Sequence, residues 1–457
     1  MMKKYFGTDG IRGRANKWPM TPSEIVNIAV STSKYFLDTE LHQHHSNRLT
    51  VVIGKDTRLS GYMVESALVA GYVSMGIDVI LLGPVPTPAV AMLTRSLRAD
   101  FGVMISASHN PYMDNGIKIF KSDGCKMSYD QQTQIEKLLS EDIDLPDAQY
   151  CGKAKRLDDA VGRYIEYAKA TFPRGLRLDG LKIVVDCAHG AAYKVAPRLL
   201  WELGAEVIAL GVDPQGNNIN DQCGATYPQG LQKAVLEHQA HIGIALDGDA
   251  DRLILVDEKG NIVDGDQILA AIAYKWHARG LLRGQGIVGT TMSNLGLERF
   301  LESLGLKLYR SAVGDSHVFA MMQAKGCNIG GEQSGHVILS DYSTTGDGVI
   351  SALQILTLMQ DKNVSCSELT SVFSPVSQKL QNIPLAEPLD EADPVLVHAI
   401  ERARERLGKS GRLLVRSSGT EPLIRVMVQG DDELLTTSTL HELSDIIEKM
   451  QLKKKVS

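Results

Sequence analysis

Lys182-Ile183-Val184-Val185-Asp186, a polar loop, a helix-forming stretch and then Gly204-Ala205-Glu206-Val207-Ile208-Ala209-Leu210 decide the fold class of this chain. The β-branched run reads as a buried strand. The glycine after the helix supplies a left-handed C-terminal cap, and the apolar run behind it returns to the same sheet. The pattern occurs twice more. One copy runs from Leu49-Thr50-Val51-Val52-Ile53-Gly54 to Gly76-Ile77-Asp78-Val79-Ile80-Leu81-Leu82, the other from Gly286-Ile287-Val288-Gly289-Thr290 to Gly305-Leu306-Lys307-Leu308-Tyr309. Such strand–helix–strand units predict α/β domains with mixed, mostly parallel sheets. Copies spaced on the order of a hundred residues apart are repeated domains, since solenoid repeats are far shorter.

From about Pro375 the pattern changes. Arg412-Leu413-Leu414-Val415-Arg416 and Ile424-Arg425-Val426-Met427-Val428 are strands around a Ser-Gly-Thr turn, and a charged helix follows from about Glu433 to Lys449. This is a smaller α+β unit, with Lys453-Lys454-Lys455 expected as a solvated tail. The expected organisation is therefore three similar α/β domains, at 1–155, 156–256 and 257–370, and an α+β domain at 371–457, around a central cleft.

Size and composition agree with several cores. The chain has 457 residues, of which 44% are hydrophobic and 22% charged, as in ordinary globular proteins. Its net charge of −6 offers no basic field for nucleic acid or an anionic membrane, so any phosphate ligand needs locally concentrated cations. No apolar run approaches the roughly 18 residues of a spanning helix, and Lys3-Lys4 lack the apolar stretch of a secretory signal. The six cysteines are scattered without CxxC pairs, which suits reduced thiols and a cytoplasmic protein.

Chemistry concentrates in four loops. Phe101-Gly102-Val103-Met104-Ile105 runs into Ser106-Ala107-Ser108-His109-Asn110-Pro111, placing a serine at the carboxyl end of a strand, where open α/β sheets put reactive groups. Helix capping is the plain alternative for Ser and Asn there. Lys118 adds a cation within reach, as a phosphorylated serine needs, and a serine nucleophile also needs a base or metal. The strand His241–Leu246 leads into Asp247-Gly248-Asp249-Ala250-Asp251-Arg252. Alternate carboxylates converge only around a hard cation, and an all-oxygen set favours Mg²⁺ over zinc. An EF-hand loop is excluded, because its sixth position is Arg252 instead of glycine and strands flank it. Gly330-Gly331-Glu332-Gln333-Ser334-Gly335-His336 offers groups suited to sugar hydroxyls, although an ordinary glycine-rich turn fits equally well. Arg416-Ser417-Ser418-Gly419-Thr420-Glu421-Pro422 with Arg425 makes a compact anion nest and meets the need for local positive charge.

In this order, SASHNP, DGDADR, GEQSGH and RSSGTEP resemble the phosphoserine, Mg²⁺, sugar and phosphate loops of the α-D-phosphohexomutase superfamily, along essentially the whole chain. Gln333 and the opening FGTDGIRG at residues 6–13 are similar to its phosphoglucosamine mutase branch. The resemblance implies that Ser108 is phosphorylated and that Ser108, Asp247, Asp249 and Asp251 hold one Mg²⁺. It implies that Glu332 and Ser334 grip the sugar, while Arg416, Ser417, Ser418, Gly419, Thr420 and Arg425 hold its non-reacting phosphate. Arg12, His109, Lys118, Arg252 and His336 would surround the transferring group, with Lys118 or His336 moving the proton. The implied reaction interconverts glucosamine 6-phosphate and glucosamine 1-phosphate through a 1,6-bisphosphate, with glucose or glucosamine 1,6-bisphosphate as activator and a homodimer as assembly. Phosphoglucomutase or phosphomannomutase activity is the nearest alternative, and a Ser/Mg²⁺ sugar phosphatase is one from another class. Three positions depart from the family pattern: Ser316-His317 where Arg-Tyr is usual, His189 where Asn is common and Tyr227 where Asp is common.

Overall fold

The computed structural model describes residues 4–7, 9–40, 48–385, 390, 392–417 and 423–456. The chain forms two compact units, one of Met1–Thr290 with Ser311–Val372 and the other of Thr291–Arg310 with Phe373–Ser457.

The first unit holds three layered sheets. In the first, strands follow the order Phe6–Gly7, Gly10–Arg14, Asp114–Lys121, Phe101–Ile105, Thr50–Lys55, Asp78–Pro84 and Ala154–Arg156. Thr50–Lys55 is parallel to Asp78–Pro84 and Phe101–Ile105, whereas Asp114–Lys121 is antiparallel to its neighbours. Phe101–Ile105 is buried at every position, as a strand covered on both faces must be. Phe36 stacks on Phe101, with ring centroids 4.2 Å apart, and anchors the core beneath it.

In the second sheet, Lys182–Asp186 lies between Glu206–Leu210 and Ile242–Leu246, both parallel to it, and Leu253–Asp257 returns antiparallel to Ile242–Leu246. In the third, Gly286–Thr290 is parallel to Ile329–Gly331, which pairs antiparallel with Val337–Leu339. Gly76, Gly204 and Gly305 close their helices with φ of 83°, 104° and 73°, the left-handed caps read from the repeated pattern.

In the second unit, Leu423–Gly430 is the middle strand of an antiparallel sheet between Ser377–Pro384 and Gly411–Ser417. Helices Pro394–Leu407 and Glu433–Val456 cover it around Leu396, Ile424, Val426, Val428, Leu443 and Ile447. The last helix runs through Lys453–Lys455, where a tail was expected. Leu, Gln and Lys are good helix formers, and no breaker precedes Val456. All six cysteines are free thiols. Among the described residues, no helix is long and apolar enough to cross a membrane.

Candidate active site

The site in the first unit begins with sheet order. Because Phe101–Ile105 lies beside Thr50–Lys55 with Ile105 opposite Lys55, the loops that follow the two strands adjoin. Ser108 sits in the first of these loops with a left-handed φ of 52°, unusual for a residue with a side chain, and it is 1% exposed. Its Oγ donates to Asp247 Oδ2 at 2.6 Å and lies 3.5 Å from His109 Nδ1.

The acidic loop is the connection of a hairpin. Leu246 pairs with Leu253, so residues 247–252 must reverse the chain in a few steps, with Ala250 at φ 58°. That turn brings carboxylate oxygens of Asp247, Asp249 and Asp251 within 4.8 Å of one another, all buried. Asp249 Oδ1 is buried without a hydrogen-bond partner, and Asp251 Oδ1 has the His336 ring 3.5 Å away. Burial, then Asp251 and Asp249, push the Asp247 carboxyl up to about 8. A cluster of hard oxygen donors with orphaned buried oxygens and one unwilling carboxyl fits a divalent cation such as Mg²⁺.

The cations cluster around it. Lys118 Nζ lies 2.8 Å from Asp249 Oδ2, 3.0 Å from Asp251 Oδ2 and 3.2 Å from Asp9 Oδ2. Burial alone would lower the Lys118 ammonium, but Asp249, Asp251 and Asp9 hold it well above its usual range. Arg12 is paired with Asp9, and Lys126 joins Asp9 to Asp315. Burial works against Asp9 as well, yet Lys118, Lys126 and Arg12 keep its carboxyl well below the usual range. Arg252 lies 4.0 Å from Asp247, with its Nε buried and without a hydrogen-bond partner.

The two histidines differ. Burial, then Arg252 and Arg12, push His109 down to about 4, so it is neutral near pH 7. His336 Nε2 accepts from the Gly346 amide at 3.2 Å, and its Nδ1 faces Asp251. Burial disfavours its charge, but Asp251 and Asp315 raise it overall.

The structure thus brings Ser108, His109, Arg12, Lys118, Arg252, His336 and the three aspartates into one charged cluster. Glu332 is half-buried and its Oε1 accepts from the Gly314 amide at 2.9 Å, whereas Ser334 is exposed. In the second unit, Arg416 and Arg425 face each other across neighbouring strands, and burial followed by Arg425 lowers Arg416. Ser417 ends that strand, exposed; Ser418, Gly419 and Thr420 lie outside the described residues.

Sequence reasoning missed Asp9, Lys126 and Asp315, which link the cations, and Thr87, whose Oγ1 donates to Asp249 Oδ2 at 2.6 Å. It also missed Asp56, Arg58 and Asn220 around the serine loop. Lys55-Asp56-Thr57-Arg58, a charged run at the carboxyl end of an apolar strand, was the available signal.

Four family models for phosphoglucomutase/phosphomannomutase match in succession: α/β/α domains I, II and III at residues 3–144, 162–260 and 264–376, and the C-terminal domain at 380–446. The phosphoglucosamine mutase of Mesorhizobium japonicum is 58% identical over 98% of both chains. That of Paracoccus denitrificans is 55% identical over 98% of this chain and all of its own. A phosphoglucomutase/phosphomannomutase family protein of Burkholderia thailandensis shares the fold with a TM-score of 0.79 at 24% identity, over 97% of each chain. The N-acetylphosphoglucosamine mutase of Aspergillus fumigatus, solved with GlcNAc-6P and magnesium, does so with a TM-score of 0.68 at 17% identity, over 99% of this chain and 96% of its own.

Proposed function

The chain belongs to the phosphoglucomutase/phosphomannomutase family, and from that premise we propose that it is a phosphoglucosamine mutase working through phosphorylated Ser108. The observation that carries the chemistry is the Ser108 hydroxyl, 2.6 Å from a carboxylate of a buried three-aspartate cluster. Identities of 55–58% over 98% of the chain to phosphoglucosamine mutases support the amino sugar as substrate.

In the reaction, a hydroxyl oxygen of glucosamine 6-phosphate attacks the phosphorus on Ser108. The new O–P bond forms as the Ser108 O–P bond breaks, the attacking hydroxyl loses its proton, and the serine oxygen regains one. The resulting 1,6-bisphosphate reorients, its other phosphate returns to Ser108, and glucosamine 1-phosphate leaves. Asp247, Asp249, Asp251 and Ser108 would hold Mg²⁺, which supplies charge neutralisation for the phosphoryl oxygens. Lys118, held firmly cationic, steadies the same charge, as do Arg12 and Arg252. A proton acceptor must be unprotonated, a condition that Lys118 does not meet; His109, neutral near pH 7 and 3.5 Å from Ser108 Oγ, meets it, and His336 is the other candidate. Glu332 and Ser334 are assigned to sugar hydroxyls, and Arg416, Ser417, Ser418, Gly419, Thr420 and Arg425 to the phosphate that is not reacting. Glucose or glucosamine 1,6-bisphosphate would prime the enzyme.

The same reading sets domain limits near 155, 256 and 370, which limited proteolysis would reveal as preferred cuts. It also gives a cytoplasmic homodimer, which sedimentation would show as twice the chain mass and fractionation would place with the soluble sugar-phosphate pool.

Phosphorus NMR of the Mg²⁺-loaded protein, with equal glucosamine 6-phosphate and glucose 6-phosphate and a trace of bisphosphate, tests the function. The glucosamine 1-phosphate signal is expected first. A leading glucose 1-phosphate signal would overturn the choice of sugar, and inorganic phosphate alone would indicate a phosphatase.

A further inference from the structure

We propose that Arg58, together with Asp56 and Asn220, is a positioning clamp that fixes the Ser108 loop for phosphoryl transfer; this rests on the phosphoserine reading above. Arg58 follows strand Thr50–Lys55 and is 1% exposed, although it carries a full positive charge. Its guanidinium is spent almost wholly on backbone. Nη2 donates to the carbonyls of Ser108 and Asn110, both at 2.8 Å, and Nη1 to those of Pro111 and, at 3.1 Å, Asp114. Nε pairs with Asp56 Oδ2 at 2.8 Å, which keeps the buried cation from being an isolated charge. One side chain therefore collects the carbonyls of the turn that carries the nucleophile.

Asp56 holds the other side of the turn. Its Oδ2 accepts from Ser106 Oγ at 2.6 Å, and that Oγ accepts from the Ser108 amide at 2.9 Å. Asn220, from the loop following the second sheet's edge strand Glu206–Leu210, donates to the Ser108 and Asn110 carbonyls at 2.9 and 3.0 Å. Those two carbonyls thus each receive two donors. The peptide groups before and after Ser108 are both tied down, so its φ and ψ, and hence the direction of its Cα–Cβ bond, are set by groups anchored to Asp56, Arg58 and Asn220. That is what a serine at φ 52° requires, since an L side chain rarely rests there unaided.

A clamp of this kind leaves ground-state sugar binding alone and acts on how well the phosphorus meets the attacking oxygen. Misplacing a reacting group by about 1 Å costs on the order of 100-fold in rate. Lysine keeps the charge beside Asp56 but presents a compact ammonium that cannot span four carbonyls. Arg58→Lys is therefore expected to lower kcat about 100-fold with KM within about 3-fold. Asn220 has a φ of 59°, which glycine also accepts, so Asn220→Gly removes its two donors without backbone strain. It is expected to lower kcat about 10-fold, and the double variant to lose less than the product of the two, because both serve the same carbonyls.

The experiment is steady-state kinetics on the full-length Mg²⁺-loaded protein, with folding followed by circular dichroism. Loading of Ser108 by glucose 1,6-bisphosphate is followed in parallel by intact mass. Folded variants with kcat within about 2-fold of wild type, or with KM moving as far as kcat, would overturn the clamp. If Arg58→Lys does not fold, Asn220→Gly decides alone by the same criteria. A wild type that turns over no phosphohexose, or whose mass never gains a phosphate, counts against the proposed function itself, whereas active wild type with unaffected variants counts against the clamp only.

Discussion

Replacing Gly248 by alanine asks how closely the backbone of the aspartate loop must lie against the Ser108 loop. Gly248 sits between Asp247 and Asp249, and its backbone conformation is open to any L residue, so the substitution carries no torsional penalty. The added methyl would instead lie 2.6 Å from the Ser108 carbonyl oxygen and 2.8 Å from Asn220 Nδ2. Ordinary contact begins at 3.4 Å, so one of the two loops must retreat by about 0.8 Å. Neither can do so by a rotamer change, because the nearest atom is backbone. A retreat of that size would stretch the 2.6 Å contact between Ser108 Oγ and Asp247 Oδ2 beyond hydrogen-bond length. At about 100-fold per ångström, kcat is expected to fall by 30- to 100-fold, about 2 to 3 kcal/mol of barrier. Overpacking is expected to cost a further ~1–3 kcal/mol of stability. The assay is initial-rate kinetics beside thermal melting. Gly162→Ala and Gly230→Ala serve as controls, since a methyl at either helical position meets nothing within 4 Å. Each control is expected to leave kcat alone and gain ~0.5–1 kcal/mol of stability. A folded Gly248→Ala protein with wild-type kcat would refute the idea that this contact is set to within an ångström.

Burial pushes the Asp347 carboxyl from 3.8 up to about 6, although Tyr164 donates to both of its oxygens and the Ile350 amide to one. The folded state thus binds this proton more tightly than the unfolded state. The stability it contributes is full below pH 3.8 and lost as pH rises through 6, a change of about 3 kcal/mol. Asp347→Asn removes the titration, so denaturation curves of the two proteins should converge or cross between pH 4 and 7; parallel profiles would contradict the assignment. Arg416→Met should raise KM for the phosphosugar about 10- to 100-fold, the worth of one charge-assisted phosphate contact, with kcat little changed. An unaltered KM would remove Arg416 from phosphate binding.

What could be read from the sequence was what the chain arranges locally. Three aspartates at alternate positions after an apolar strand converge because a hairpin leaves them no other course, and the repeated strand–helix–Gly–strand pattern carries its own caps. For Arg58 the local run Lys55–Arg58 marks a charged strand end but not what the guanidinium meets. It stands 50 positions from Ser108, and only the sheet order that places Thr50–Lys55 beside Phe101–Ile105 brings the two together. The same holds for Asp9 with Lys118 and for Lys126 with Asp315, pairs drawn from separate strands and loops. The charge states of the titratable groups were equally out of reach. Lys118 is held cationic by three carboxylate neighbours, and His109 is kept neutral by burial beside Arg252 and Arg12; sequence spacing shows neither.

The charge inventory gives a reason for pairing the proposed phosphoserine with a divalent cation. With Asp247 pushed up to about 8, Asp9, Asp249, Asp251 and Asp315 supply four charged carboxylates to the cluster near pH 7, and Arg12, Lys118, Lys126 and Arg252 supply four cations. These side chains are mostly buried, where unbalanced charge is costly. Adding a phosphoryl dianion to Ser108 alone would create a negative excess of two. A divalent cation held by the same aspartates returns the cluster to the balance it had before. Lys118 cannot take that part, because its ammonium is already committed to Asp9, Asp249 and Asp251. The fixed cations therefore balance the fixed aspartates, and a phosphoryl group on Ser108, as proposed above, would need a further counter-charge of equal size.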